Sequence, residues 1–190
     1  MWMSCSYWNA IRIRWVNDMR IIVIFIMALV LMYGDFLFAE FSPFDLGNLT
    51  IYMVPKLLLM FILLMSVYIN PPISSFFAIV FGILIDIYSG LVYGVHTFGM
   101  VAFVFFMHTA FRVFYKDFVA MAFVVLTLTF LYDAYIYLIY RILGLVTLPI
   151  FDYIALRALP SLILNALLFI TVFIITLQTS KVRKNLLPKH

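Results

Sequence analysis

Apolar residues run along this chain in long blocks, and the polar positions between them are few and clustered. The blocks predict helices at about 21–39, 51–69, 73–89, 94–111, 118–140 and 154–177, most of them near the roughly 20 residues that a helix needs to cross a bilayer. The breaks between them have the chemistry of turns. Phe41-Ser42-Pro43-Phe44-Asp45-Leu46-Gly47-Asn48 reads as a loop, and Asn70-Pro71-Pro72 stops a helix because proline lacks the N–H to continue one. Ser89-Gly90 to Gly94, Lys116-Asp117, and Gly144 to Asp152 separate the remaining blocks. The third block is the shortest, which leaves room for a tilted or partly re-entrant segment there.

Composition turns these blocks into membrane spans. The chain has 190 residues, 67% of them hydrophobic and only 11% charged, whereas an ordinary soluble domain carries about 25% charge. A globule of this size could not hide so much apolar surface. That excludes a soluble enzyme, a nucleic-acid-binding domain and a disordered regulator. The expected fold is an all-α integral membrane protein, a six-helix transmembrane bundle over 21–177. It is preceded by a cytoplasmic or interfacial segment (1–20) and followed by a basic cytoplasmic tail (178–190).

The net charge of +4 matters only through where the bases lie. With the N-terminus inside, the cytoplasmic side holds Arg12, Arg14, Arg20, Arg112, Lys116, Lys181, Arg183, Lys184 and Lys189, against Lys56, Arg141 and Arg157 outside. This positive-inside bias, with six spans, places both termini in the cytoplasm. The basic stretch before the first block suits a signal anchor, since Phe38-Ala39-Glu40 makes a poor cleavage site. Trp8, Ile11, Trp15 and Met19 recur at helical spacing. They fit either an amphipathic helix in the inner interface or a flexible tail whose tryptophans sit in the aromatic belt. The one cysteine, Cys5, offers neither an internal disulfide nor a metal or redox pair.

Charges inside the spans need an explanation, because each costs about 2.5–3.5 kcal/mol at mid-helix on insertion scales. Asp35, Asp86 and Asp133 lie in the first, third and fifth blocks. Each stands about 13–15 residues from the inner end, roughly 20 Å along the helix. Lys56, Arg141 and Arg157 fall near the same level. Thr129, Asp133, Tyr137 and Arg141 share one face of the fifth helix; Arg157, Ser161 and Asn165 share one face of the sixth, where Pro160 bends it. These residues predict a polar, charge-balanced layer in the outer half of the bundle, with Asp133 and Arg157 as a candidate pair. The layer could lock the helices together, receive a partner, or line a small-molecule cavity. Gly82 and Asp86 allow close helix approach beside a polar group, and Gly90-Gly94 reads as a turn rather than a dimerisation face. His108, Arg112 and Lys116 form a basic stripe suited to lipid headgroups. GxSxG, Walker, HExxH and CxxC patterns are absent, so no catalytic residue, cofactor or metal is expected. The Asn48-Leu49-Thr50 sequon carries no weight, since such tripeptides arise often by chance.

Two stretches resemble a known family. Phe81-Gly82-Ile83-Leu84-Ile85-Asp86-Ile87-Tyr88-Ser89-Gly90, followed by Tyr93-Gly94-Val95-His96, is similar to the G-x-x-x-D…G…x-G segment of the rod-shape-determining membrane protein MreD family. Leu156-Arg157-Ala158-Leu159-Pro160-Ser161-Leu162-Ile163-Leu164-Asn165-Ala166-Leu167 resembles that family's last span, with Arg157, Pro160 and Asn165 in register. Val54-Pro55 is also similar, although this chain has Lys56 where the family commonly has an acidic residue. The resemblance implies a non-enzymatic, multi-pass protein of the bacterial inner membrane. Its partner would be MreC, a single-span protein with a periplasmic domain, and through it MreB filaments and peptidoglycan synthases; no nucleic acid would bind. The family is similar in fold to the substrate-binding S components of energy-coupling-factor vitamin transporters, which supplies the alternative reading. The absence of small-xxx-small pairs between Ile21 and Tyr33 weighs towards the scaffold.

Overall fold

The computed structural model describes the backbone of residues 3–42, 44–46, 49–89, 92–111 and 118–185, and side chains within 21–42, 50–89, 92–109 and 118–179. Helix α1 runs without a break over Met3–Phe41. The expected boundary at residue 20 is therefore not a break in the helix, and no glycine or proline before Gly34 would make one. The side chains of the first twenty residues lie outside the described residues, as does the basic tail beyond residue 185.

The loop expected after the first span contains a small antiparallel hairpin, β1 (Phe44–Leu46) and β2 (Leu49–Ile51), with Asp45 opposite Thr50. The chain then stays extended to Lys56. Pro55 cannot donate to a helix and holds Val54 in the extended region, so α2 covers only Leu57–Tyr68 and not 51–69. Helix α3 (Pro71–Ser89) opens on proline, which suits a first helical turn whose N–H groups have no intrahelical acceptor. Helices α4 (Val95–Phe111) and α5 (Phe118–Ile142) follow. The last rod is α6 (Ile150–Tyr153), a π-helical turn (Ile154–Ala158) and α7 (Leu159–Asn185).

Four of these segments are long and apolar enough to cross a membrane: Ile21–Phe41, Pro71–Ser89, Phe118–Ile142 and Ile150–Thr179. The other two of the six expected helices are present and apolar but shorter than expected. Helix α2 has 12 residues, about 18 Å at 1.5 Å per residue, and the apolar part of α4 is also short, Val95–Thr109. The third block is not the shortest; α3 is an unbroken helix of 19 residues.

Helix α2 is the centre of the molecule. All residues from Leu57 to Ser66 are buried, and α1, α3, α4, α5 and α7 pack around it. A short helix that is apolar on every side is a core element rather than a lipid-facing one. The outer helices show the opposite pattern. Phe105 on α4 is 70% exposed and Phe123 on α5 is 72% exposed, which water would penalise and lipid does not.

Candidate functional site

The extended segment before α2 belongs to no helix, so its backbone groups must find partners elsewhere in the protein. Its N–H groups at alternate residues point to the last rod. Tyr52 N–H donates to the Leu156 carbonyl at 2.8 Å, Val54 N–H to Ser161 Oγ at 3.1 Å, and Lys56 N–H to Asn165 Oδ1 at 2.9 Å. The spacings match: two extended residues advance about 6.6 Å and one turn of helix about 5.4 Å. Pro160 makes the first of these bonds available. In an α-helix the Leu156 carbonyl would accept from the residue four positions on; that residue is Pro160, which has no N–H. The π turn Ile154–Ala158 lies where this ladder is interrupted. Ser42 on the far side accepts the remaining Met53 N–H at 3.0 Å.

Asp35, on α1, completes the start of α2. Its Oδ1 accepts from Leu57 N–H at 2.8 Å and its Oδ2 from Leu58 N–H at 3.0 Å. These are two of the four N–H groups that a helix start leaves unsatisfied, and a carboxylate there also faces the positive end of the helix dipole. No side chain of the α2 start caps its own helix; the cap comes from a different span.

Asp86, on α3, does the same for α4. It is 2% exposed and receives the N–H groups of Gly94 (2.9 Å), His96 (2.9 Å) and Thr97 (3.1 Å), together with the Thr97 hydroxyl at 2.6 Å. His96 Nδ1 lies 3.0 Å from its Oδ1. Gly82, one turn earlier, permits the approach: a Cβ placed on it would stand 2.5 Å from the Thr97 Cα. Gly94 has φ +92°, the left-handed region that glycine enters freely. It forms part of the turn into α4, as its spacing implied. Gly90 lies outside the described residues.

Between the two capped helix starts stand Lys56, Asp133 and Tyr132. Lys56 Nζ is 3.5 Å from Asp133 Oδ1, and lies 5.8 Å from the centre of the buried Tyr132 ring. The His96 ring follows at 6.5 Å. Asp133 therefore pairs with Lys56, which corrects the expected pair with Arg157. Helical spacing had set Asp133 and Arg157 on matching faces, but the rotation of the two helices brings Lys56, from the extended segment, to the carboxylate first. Among the described residues Arg157 makes no ion pair. Tyr153 stacks on Tyr137 with ring centres 3.8 Å apart, and Arg141 donates to the Tyr137 hydroxyl and, at 3.2 Å, to the Leu148 carbonyl.

The structure thus gathers Asp35, Lys56, Asp133, Ser161 and Asn165 around one helix start, and Gly82, Asp86 and Gly94 around the other. Arg141 and Arg157 stand apart from both carboxylate clusters. Thr97, Ser42 and Tyr132 were not singled out from sequence, and His96 entered only as the end of the Tyr93-Gly94-Val95-His96 stretch. A threonine just inside α4, after a turn glycine, is the one signal that could have found Thr97. In chemical terms the layer is a frame. The acceptors of Asp35, Asp86, Ser161 and Asn165 are spent on backbone N–H groups, and Lys56 and Asp133 on each other.

A family model described as rod shape-determining protein MreD matches residues 19–179. No curated protein and no solved structure matches the chain.

Proposed function

The chain belongs to the MreD family of rod shape-determining proteins, non-enzymatic membrane proteins of bacteria, and from that premise we propose that it acts as a scaffold that binds MreC. In this reading it helps couple MreB filaments to lateral peptidoglycan synthesis. Both termini lie in the cytoplasm, as the distribution of bases demands, and the polar layer lies in the outer half of the bundle. The observation that carries a scaffold rather than a carrier is the commitment of the layer's acceptors to the starts of α2 and α4. A ligand-binding layer would keep polar groups directed into a cavity; here they fix the backbone. A rigid frame with an apolar outer surface presents a constant shape to a partner's single span, which costs little ordering on binding.

Affinity purification of the tagged protein from its native membranes in mild detergent, with mass spectrometry of the co-eluting proteins, tests this. A single-span protein with a coiled coil and a periplasmic domain, together with cell-wall synthases, is the expected result. Paired ATPases and a coupling membrane protein would instead establish a vitamin transporter component.

A further inference from the structure

Helices α4 and α5 leave an apolar groove of about 360 Å³ between them, lined by Phe103 and Phe106 on α4 and by Leu131, Ala134 and Leu138 on α5. It opens to the outside of the bundle, where Phe106 is 61% and Leu138 53% exposed. Arg141 follows Leu138 by three residues, so its backbone lies about 4.5 Å beyond the groove towards the helix end, with its guanidinium 5.8 Å from the centre of the Tyr137 ring. Its guanidinium has no carboxylate partner among the described residues. One of its nitrogens, Nη1, bonds the Tyr137 hydroxyl and the Leu148 carbonyl. The remaining N–H groups of its fork receive no protein acceptor among the described residues.

From this arrangement we propose that the groove holds one acyl chain of an anionic phospholipid whose phosphate is bound by Arg141. Two observations favour a lipid over a partner's helix. Helices associate within membranes through small residues that let backbones approach, and of the five groove residues named here only Ala134 is small. A flexible chain fills a channel between bulky side chains where a helix cannot. Arg141, in the last turn of α5 three residues beyond Leu138, supplies the complementary charge, and an arginine at a helix end reaches the headgroup level by extending along its stem. The fork geometry of guanidinium suits two phosphate oxygens at once. The lipid is taken from whichever leaflet Arg141 faces, so the proposal does not rest on the orientation of the protein or on its partner.

The test uses the full-length protein in detergent micelles supplemented with phosphatidylglycerol or with phosphatidylcholine carrying the same chains. Bound lipid is counted by native mass spectrometry and thermal unfolding is followed in parallel. Wild type is expected to retain phosphatidylglycerol about tenfold better than phosphatidylcholine, whose choline cation neutralises the phosphate that Arg141 would bind. Arg141→Gln should erase the preference and Arg141→Lys should keep most of it. Ala134→Phe, which fills the groove, should lose both lipids, and its unfolding transition in lipid-free micelles reports whether it is folded. Should it fail to fold, Leu138→Trp serves the same purpose on the exposed side of the groove. An unchanged preference in Arg141→Gln overturns the proposal, as does unchanged lipid retention in a folded groove-filled variant. A photo-crosslinker at Leu131 that captures a protein helix instead of lipid in native membranes overturns it too.

Discussion

The Asp86 carboxylate of α3 receives the Thr97 hydroxyl of α4 at 2.6 Å, and with it the N–H groups of Gly94, His96 and Thr97. One span therefore supplies the cap of the next. Asp86→Leu removes the acceptor for all of these groups, and each buried donor left unpaired costs about 1–3 kcal/mol. The variant should unfold at markedly lower denaturant in mixed micelles. Asp86→Asn, which keeps one acceptor oxygen, should fall about midway. Equal midpoints for Asp86→Leu and wild type would show that the cap contributes nothing.

Asp35 has fewer bonds to lose, two against five. Asp35→Leu should accordingly destabilise by less than Asp86→Leu, about 1–3 kcal/mol for the uncapped start of α2. The same unfolding titration, run on both variants in one detergent, orders them; the reverse order would contradict the bond inventory.

Gly82 and Gly94 are glycines for different reasons, and alanine separates them. Gly82→Ala drives a Cβ into the Thr97 backbone, so α3 and α4 must part, at about 1–3 kcal/mol. Gly94→Ala meets no atom within 4 Å and pays only for its positive φ, about 1–2 kcal/mol. Disulfide cross-linking between cysteines introduced on α3 and α4 should slow in the first variant and remain unchanged in the second.

Lys56 and Asp133 should couple energetically, and Arg157 and Asp133 should not. A double-mutant cycle with Lys56→Met and Asp133→Leu is expected to give about 1–3 kcal/mol, whereas the Arg157→Met cycle should stay within about 0.5 kcal/mol of additivity. Coupling in the second cycle and none in the first would restore the pair that helical spacing suggested.

Pro160→Ala gives residue 160 an N–H that competes with Tyr52 for the Leu156 carbonyl. Amide hydrogen exchange at Tyr52 should then accelerate about tenfold or more, while that of Leu63, deep in α2, stays slow. Asn165→Leu should do the same to Lys56.

Much of this was legible in the chain. Asp86 four residues after Gly82, and Arg157, Ser161 and Asn165 on one helix face, were visible as polar exceptions in apolar blocks, and the structure gives Asp86, Ser161 and Asn165 each a stated partner. The partners themselves were hidden. Asn165 serves Lys56 from 109 residues away, and Pro55-Lys56 is the one local mark of an extended segment inside an otherwise apolar block. The length of that block suggested a full span; Pro55 was the sign that its first residues are not helical. The choice of Lys56 over Arg157 by Asp133 depends on helix rotation, which periodicity leaves free. The hairpin escaped notice because its strands are three residues long, below the length at which alternation can be read.

The dependence of the α2 start on Ser161 and Asn165 bears on how the protein is made. A ribosome delivers Tyr52 to Leu58 to the membrane long before it reaches the last rod, and α2 is too short to lodge there as a span of its own. Until the last rod emerges, the N–H groups of Tyr52, Val54 and Lys56 have only water or the translocation machinery to satisfy them, while Met53, Leu57 and Leu58 already have Ser42 and Asp35. The segment that leads into the second helix therefore completes its backbone pairing only after the last rod has been made. A nascent chain stopped before residue 165 should leave that segment open to protease, and one released after the last rod should not.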